Sequence, residues 1–190
     1  MRVQARERGV IESGFELCPE GWHVFKVDEG IDYLKKKDKE GNEQISTSKA
    51  GDKNWKFKLV VDDEDDEANG QSVDIIASEN KRGEQTVTDL LGATGQFAAF
   101  QKAFPGDISI FEEKVMSKLK GKLPGQLMRG KVKHNPDRKD PDKVYANLVG
   151  FGKMSDSVEQ LEKDLFPEKA KKAGKKEAEK AAPEVPDDEF

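Results

Sequence analysis

Seven residues, Trp55–Val61 (WKFKLVV), limit what the chain can fold into more than any other stretch. Trp55, Phe57, Leu59 and Val61 point one way and Lys56, Lys58 and Val60 the other, the period of two of a half-buried β-strand. Six consecutive acids follow, Asp62–Glu67 (DDEDDE), and then Asn69-Gly70. Like charges repel and the Asn-Gly pair favours positive φ, so this stretch reads as a turn. Ser72–Ala77 (SVDIIA) supplies the returning strand, which places the acids at a hairpin tip. Trp22–Val27 (WHVFKV) reads as an earlier strand, and Leu127–His134 and Lys143–Phe151 as two later ones, joined by the turn-rich NPDRKDPD. Residues 1–20 read as an arm, and Tyr33–Glu43 as a polar, lysine-rich connection.

Between the third and fourth strands the period changes. Leu90, Ala93, Phe97, Phe100 and Phe104 are spaced by three and four, which predicts the stripe of a single amphipathic helix stopped by Pro105-Gly106. Gly92 and Gly95 weaken it. Ser109-x-x-Glu112 predicts a capping box opening a second helix, with Phe111, Val115 and Leu119 inward. After Met154 the pattern fades. A short helix is predicted over Val158–Leu165, and the Lys/Ala-rich stretch from Lys169 to Phe190 cannot bury a core. The expectation is an arm over 1–20, a mainly β domain with a helical insertion over 21–154, and a flexible linker with an acidic, disordered tail over 155–190.

Composition narrows the function classes. Charged residues make up 37% of 190 residues, against about 25% in a typical globular domain, so one modest core carries a large solvated surface. No run has the ~18–20 apolar residues of a membrane span, and MRVQARERGV leads into no apolar segment, so neither a membrane helix nor a secretory leader is expected. Cys18 is the only cysteine. That excludes an internal disulfide or a cysteine-built zinc site and suggests a reducing, cytoplasmic setting.

Catalytic chemistry has little to stand on. His23 and His134 fall inside predicted strands without an accompanying motif, and with Cys18 they are too few for a zinc site of three or four ligands. The six-acid run lacks the D-x-[DN]-x-[DN]-G spacing of a calcium loop, and no glycine-rich phosphate loop occurs. No enzyme, metal or cofactor is expected. The enzymatic alternative is a metal-dependent nuclease using carboxylates such as Asp62, Asp65 and Asp74.

The charges are segregated. The formal net charge is −5, and taking away the ten acids of Asp62–Glu67 and of the last seven residues turns it into +5. Arg129, Lys131 and Lys133 alternate along one predicted strand and so project from one sheet face, as Lys56 and Lys58 do on another. Lys35, Lys36 and Lys37, and Arg138, Lys139 and Lys143, lie in or beside neighbouring loops. Trp55 and Tyr145 accompany them. Cations that track phosphates, interleaved with rings that stack on unpaired bases, are the two components of single-strand binding. Core packing is the competing role for the rings, expected at Phe57 and at either Trp22 or Phe25. The chain ends Pro183-Glu-Val-Pro-Asp-Asp-Glu-Phe190, an extended acidic segment with an aromatic side chain beside the terminal carboxylate. Such an end suits capture by a basic, partly apolar pocket on a partner, or competition with nucleic acid in the protein's own basic groove.

Three strands, a helical segment, two strands, basic faces and a DDEF ending together resemble the single-stranded DNA-binding proteins of phage replication. The resemblance covers about 21–153 and 183–190. It implies an OB-fold, a five-stranded Greek-key barrel. It also implies binding and protection of single-stranded DNA, without strong sequence specificity, during phage DNA replication and recombination in the cytoplasm of an infected bacterial host. Asp187, Asp188, Glu189 and Phe190 would recruit replication proteins such as a polymerase or helicase. The noncatalytic alternative is a protein-interaction scaffold. The sequence leaves homo-oligomerisation open.

Overall fold

The computed structural model describes residues 3–6, 10–13, 17–137, 140 and 142–167. In chain order the strands are β1 (Val3–Arg6), β2 (Val10–Ser13), β3 (Gly21–Val27), β4 (Asp32–Tyr33), β5 (Lys35–Lys37), β6 (Glu43–Ile45), β7 (Asn54–Val61) and β8 (Ser72–Ser78). Helices α1 (Lys81–Ala93), α2 (Phe97–Ala103) and α3 (Glu113–Lys122) follow, then β9 (Leu127–Pro136), β10 (Val144–Gly152) and α4 (Val158–Leu165). The chain divides into two compact units, Met1–Met154 and Ser155–Phe190. In the second, Ser157 caps α4 by accepting the Gln160 amide at 3.2 Å. No helix among the described residues is long and apolar enough to cross a membrane.

The first unit is mainly β. Its principal sheet is antiparallel, with hydrogen-bonded order β10-β9-β3-β7 and β8 on the far edge of β7. β7 is long enough to take two partners on its other edge, β3 against Leu59–Val61 and β4 against Trp55–Lys56. The alternation that marked β7 is realised: Trp55, Phe57, Leu59 and Val61 are buried and Lys56, Lys58 and Val60 are not. Inward residues of β3 (Phe25, Val27), β8 (Val73, Ile75) and β9 (Met128, Val132) meet them, and the helices cover this layer with Val87, Leu90, Leu91, Val115, Met116 and Leu119. Each such side chain withdrawn from water contributes on the order of 1.5–3 kcal/mol.

Several expectations are corrected. The sheet is not a closed barrel: β8 and β10 come close to each other, yet no ladder joins them. β10 shifts register between Leu148 and Gly150, and α1 packs against both strands. The expected long helix is two, because Gly95, at φ +72°, ends α1 in the left-handed region that glycine tolerates. The helical segment also starts earlier, at Lys81, where Asn80 accepts the amides of Arg82 and Gly83. Ser109 and Glu112 do not form a capping box. Ser109 Oγ bonds Glu84 instead, and α3 opens on Glu112 without a side-chain cap. Residues 1–20 contain the β1–β2 hairpin, and the lysine-rich connection contains β5 and β6.

Candidate nucleic-acid interface

Strand parity sorts the outer face of the sheet. On β9, Met128, Gly130 and Val132 are buried while Arg129, Lys131 and Lys133 project outward together. On β3, Phe25 is buried completely, so Trp22, three residues away, must stand on the other face; it is half-buried there. The ladder sets Trp22 opposite Lys131, whose Nζ lies 5.8 Å from the indole ring. On the other side of β9, the register sets Asn147 beside Lys133 and Tyr145 beside Asn135. The Tyr145 hydroxyl donates to Asp137 at 2.8 Å, which fixes its ring on this face. Arg129, Lys131, Lys133, Trp22 and Tyr145 thus form one basic, aromatic strip across β3, β9 and β10.

Ion pairing decides which cations remain to meet an anion. Lys58 is held by Asp28 at 2.9 Å, Lys35 by Glu43 at 3.5 Å and Lys143 by Asp140 at 2.8 Å. Asp28 sits below the usual carboxylate range, first through the hydrogen bond from Lys58 and then through the Glu29 amide. The Asp140 carboxylate raises Lys143 above the ordinary ammonium value. Lys36, Lys37, Lys56, Arg129 and Lys133 have no carboxylate within ion-pair distance among the described residues. Arg129 goes further, because its Nε is buried and has no hydrogen-bond partner. A buried donor left unmatched costs about 1–3 kcal/mol.

Other expected residues fall elsewhere. Lys35, Lys36 and Lys37 are exposed on the separate β5–β6 hairpin. Lys56 and Lys58 share the outer face, but β3 separates them from β9, about 10 Å at two strand spacings. Trp55 is only 5% exposed. Its Nε1 donates to Glu79 at 3.0 Å, and its ring lies 4.0 Å from that of Tyr33. Tyr33 donates to the same carboxylate at 3.2 Å. Burial, and then Glu79, push the Tyr33 phenol up. Trp55 is therefore a core ring, and the ring facing outward is Trp22. Arg138, Lys139, Asp187, Asp188, Glu189 and Phe190 lie outside the described residues.

The acidic hairpin tip borders the strip on the β3 side. Lys26 holds Asp62 at 2.6 Å and the His23 ring meets Asp66 at 2.6 Å. Burial pushes the Asp66 carboxyl up, but the His23 bond and the Ala68 amide outweigh it and hold the group below its ordinary value. Asp63 and Asp65 line a shallow cleft that also reaches Trp22. The carboxylates of the nuclease alternative are not gathered: Asp65 lines this cleft, whereas Asp74 lines another on β8. No group of three or more His, Cys, Asp or Glu that could hold a metal occurs among the described residues. No protein-family model matches the chain and no curated protein matches it, so the reading of this face rests on its own residues.

Proposed function

We propose that the chain is a noncatalytic protein that binds and protects single-stranded DNA during replication or recombination, as phage single-stranded DNA-binding proteins do. The observation that carries this reading is the Trp22–Lys131 pair, with Arg129 and Lys133 projecting from the same strip. A ring and a cation side by side serve a base and its phosphate together, and neither contact reads sequence. The strand order β10-β9-β3-β7-β8, with its two ends drawn near each other, supports an OB-like Greek key left open at one seam. The acidic ending with Phe190 supports recruitment of partner proteins.

The test is a fluorescence titration with oligo-dT, oligo-U and duplex. Trp22 is the expected reporter, because Trp55 is buried. Single strands should bind more tightly than duplex, with log affinity falling against log salt by about 0.7 per phosphate contact. The triple change Arg129→Ala, Lys131→Ala, Lys133→Ala should weaken binding and flatten that slope. Trp22→Ala should cost about 1–3 kcal/mol of affinity with little change in Tm, whereas Trp55→Ala should cost about 3–5 kcal/mol of stability. Equal affinity for duplex, or none for any nucleic acid, overturns the reading. Magnesium-dependent cleavage would favour the nuclease.

A further inference from the structure

The open seam between β8 and β10 is a cleft of about 670 Å³, within the roughly 300–1,000 Å³ of small-ligand pockets. It borders the basic strip, because Asn147 lines it and stands beside Lys133 in the β9–β10 register. Its walls combine apolar groups (Ile76, Leu148 and Phe151) with hydrogen-bonding ones.

Most of those polar groups are already engaged. Asn54 accepts from Ser78 at 2.7 Å and donates to Ser46 at 3.2 Å. Asn80 caps α1 and donates to Asp52 at 2.8 Å. Thr86 donates to the Arg82 carbonyl at 3.0 Å. Asp74 is the exception. It lines the cleft, and its carboxyl makes no hydrogen bond or ion pair among the described residues. Lys58 is its register partner on β7, but the Lys58 ammonium reaches Asp28 instead. Burial raises Asp74 above the usual carboxylate range, and Lys56 and Lys58 only moderate the effect. An acid on the face of a polyanion binder repels phosphate, a penalty that a ligand group donating to it would offset. Arg82 also lines the cleft, is exposed, and has no carboxylate partner among the described residues, so its guanidinium is available to a phosphate.

We infer that this cleft seats one unpaired base of the bound strand, with the Asp74 carboxylate accepting from the adjacent N1–H and N2–H₂ donors of guanine. Of the four bases only guanine presents two neighbouring donors on its Watson–Crick edge. A carboxylate can meet them with both oxygens, and a bidentate contact of this kind is worth about 1–3 kcal/mol of discrimination. Thymine and adenine each offer such an acceptor pair a single donor flanked by acceptors. The inference rests on the single-strand reading above and adds to it a modest preference at one position of the bound strand.

The experiment compares oligo-dT with the same oligomer carrying one central guanine, and with inosine in that place, which lacks only the 2-amino group. The native protein should bind the guanine oligomer about tenfold more tightly than oligo-dT, with inosine between the two. Asp74→Ala and Asp74→Asn should bring the guanine-to-thymine ratio close to one. Losing the negative charge raises affinity for every oligomer alike, so the ratio, and not the affinity, is the readout. Arg82→Ala should weaken all three oligomers together. A native ratio of one, or a ratio unchanged in both Asp74 variants, overturns the guanine site while leaving single-strand binding intact. Failure to bind even oligo-dT overturns the reading on which it rests.

Discussion

Cys18 shows how a single side chain ties stability to pH. Its thiol is 2% exposed and is pushed up from 9.0 to about 12, by burial first and by the Asp66 carboxylate second. The folded state therefore keeps a proton that the unfolded chain gives up near pH 9, and ∂ΔG/∂pH is negative between these values. The stabilisation is fully present below pH 9 and is lost progressively from 9 towards 12. Thermal melts should show Tm falling more steeply over that window in the native protein than in Cys18→Ala; parallel curves would refute the coupling. The same buried thiol should react with a thiol reagent only when the chain unfolds. Other residues carry their roles in plain parity. Trp22 and Phe25 are separated by an odd number and cannot share a face, so once Phe25 is core, Trp22 is outward. That signal was present in the sequence, though nothing there said which of the two was core. Trp55, expected among the stacking rings, shares the buried parity of Phe57, Leu59 and Val61 on β7. Its carboxylate partner Glu79, 24 positions on, depends on tertiary placement that no local pattern encodes.

At the scale of elements, two glycines set how closely the layers approach. A Cβ on Gly83 would lie 1.9 Å from the Ser78 carbonyl oxygen, so the first turn of α1 sits directly on the end of β8. A Cβ on Gly130 would lie 2.4 Å from Leu148 and 2.8 Å from the Phe25 ring, at the point where β9 crosses the core. Gly83→Ala must move backbone, whereas Gly130→Ala can be absorbed in part by side chains. Both should lower stability by about 1–3 kcal/mol, with Gly83→Ala the larger loss, measured by denaturant melts. Equal stability of Gly83→Ala and the native chain would contradict this packing of α1 on β8. The long strands β3, β7, β8, β9 and β10, and α4, were legible because their periods are clean over seven or more residues, whereas β1, β2, β4, β5 and β6 are too short to show a period. The break between α1 and α2 was not, because the stripe of Leu90, Ala93, Phe97, Phe100 and Phe104 continues unbroken past Gly95. The φ of +72° at that glycine redirects the chain while leaving Phe97, Phe100 and Phe104 packed on the core. The open seam was not legible either, since strand count and order are the same for an open sheet and a closed barrel.

Across the principal sheet, the basic strip and the six-acid run stand on different strands and meet only at their border. The β9 cations face outward on one side of β3, while the six-acid run closes the β7–β8 hairpin on the other. Two contacts hold that hairpin at both ends: the Asp62–Lys26 ion pair, and the hydrogen bond between Asp66 and His23. Asp63, Glu64 and Asp65 between them make no ion pair among the described residues, and Asp63 and Asp65 share a cleft with Trp22. These three charges therefore act on an approaching phosphate backbone through solvent, and their repulsion is screened over about 10 Å at 0.1 M salt. Neutralising them as Asp63→Asn, Glu64→Gln and Asp65→Asn leaves both anchoring pairs, and hence the hairpin, in place. Affinity for oligo-dT should rise several-fold at low salt, the gain shrinking as salt approaches 1 M, where the screening length falls to about 3 Å. The salt slope should stay the same if the number of phosphates contacted is fixed by the β9 strip, because that slope counts contacts made and not charges nearby. An affinity unmoved at low salt would place the bound strand far from Trp22, and with it the interface away from β3 and β9.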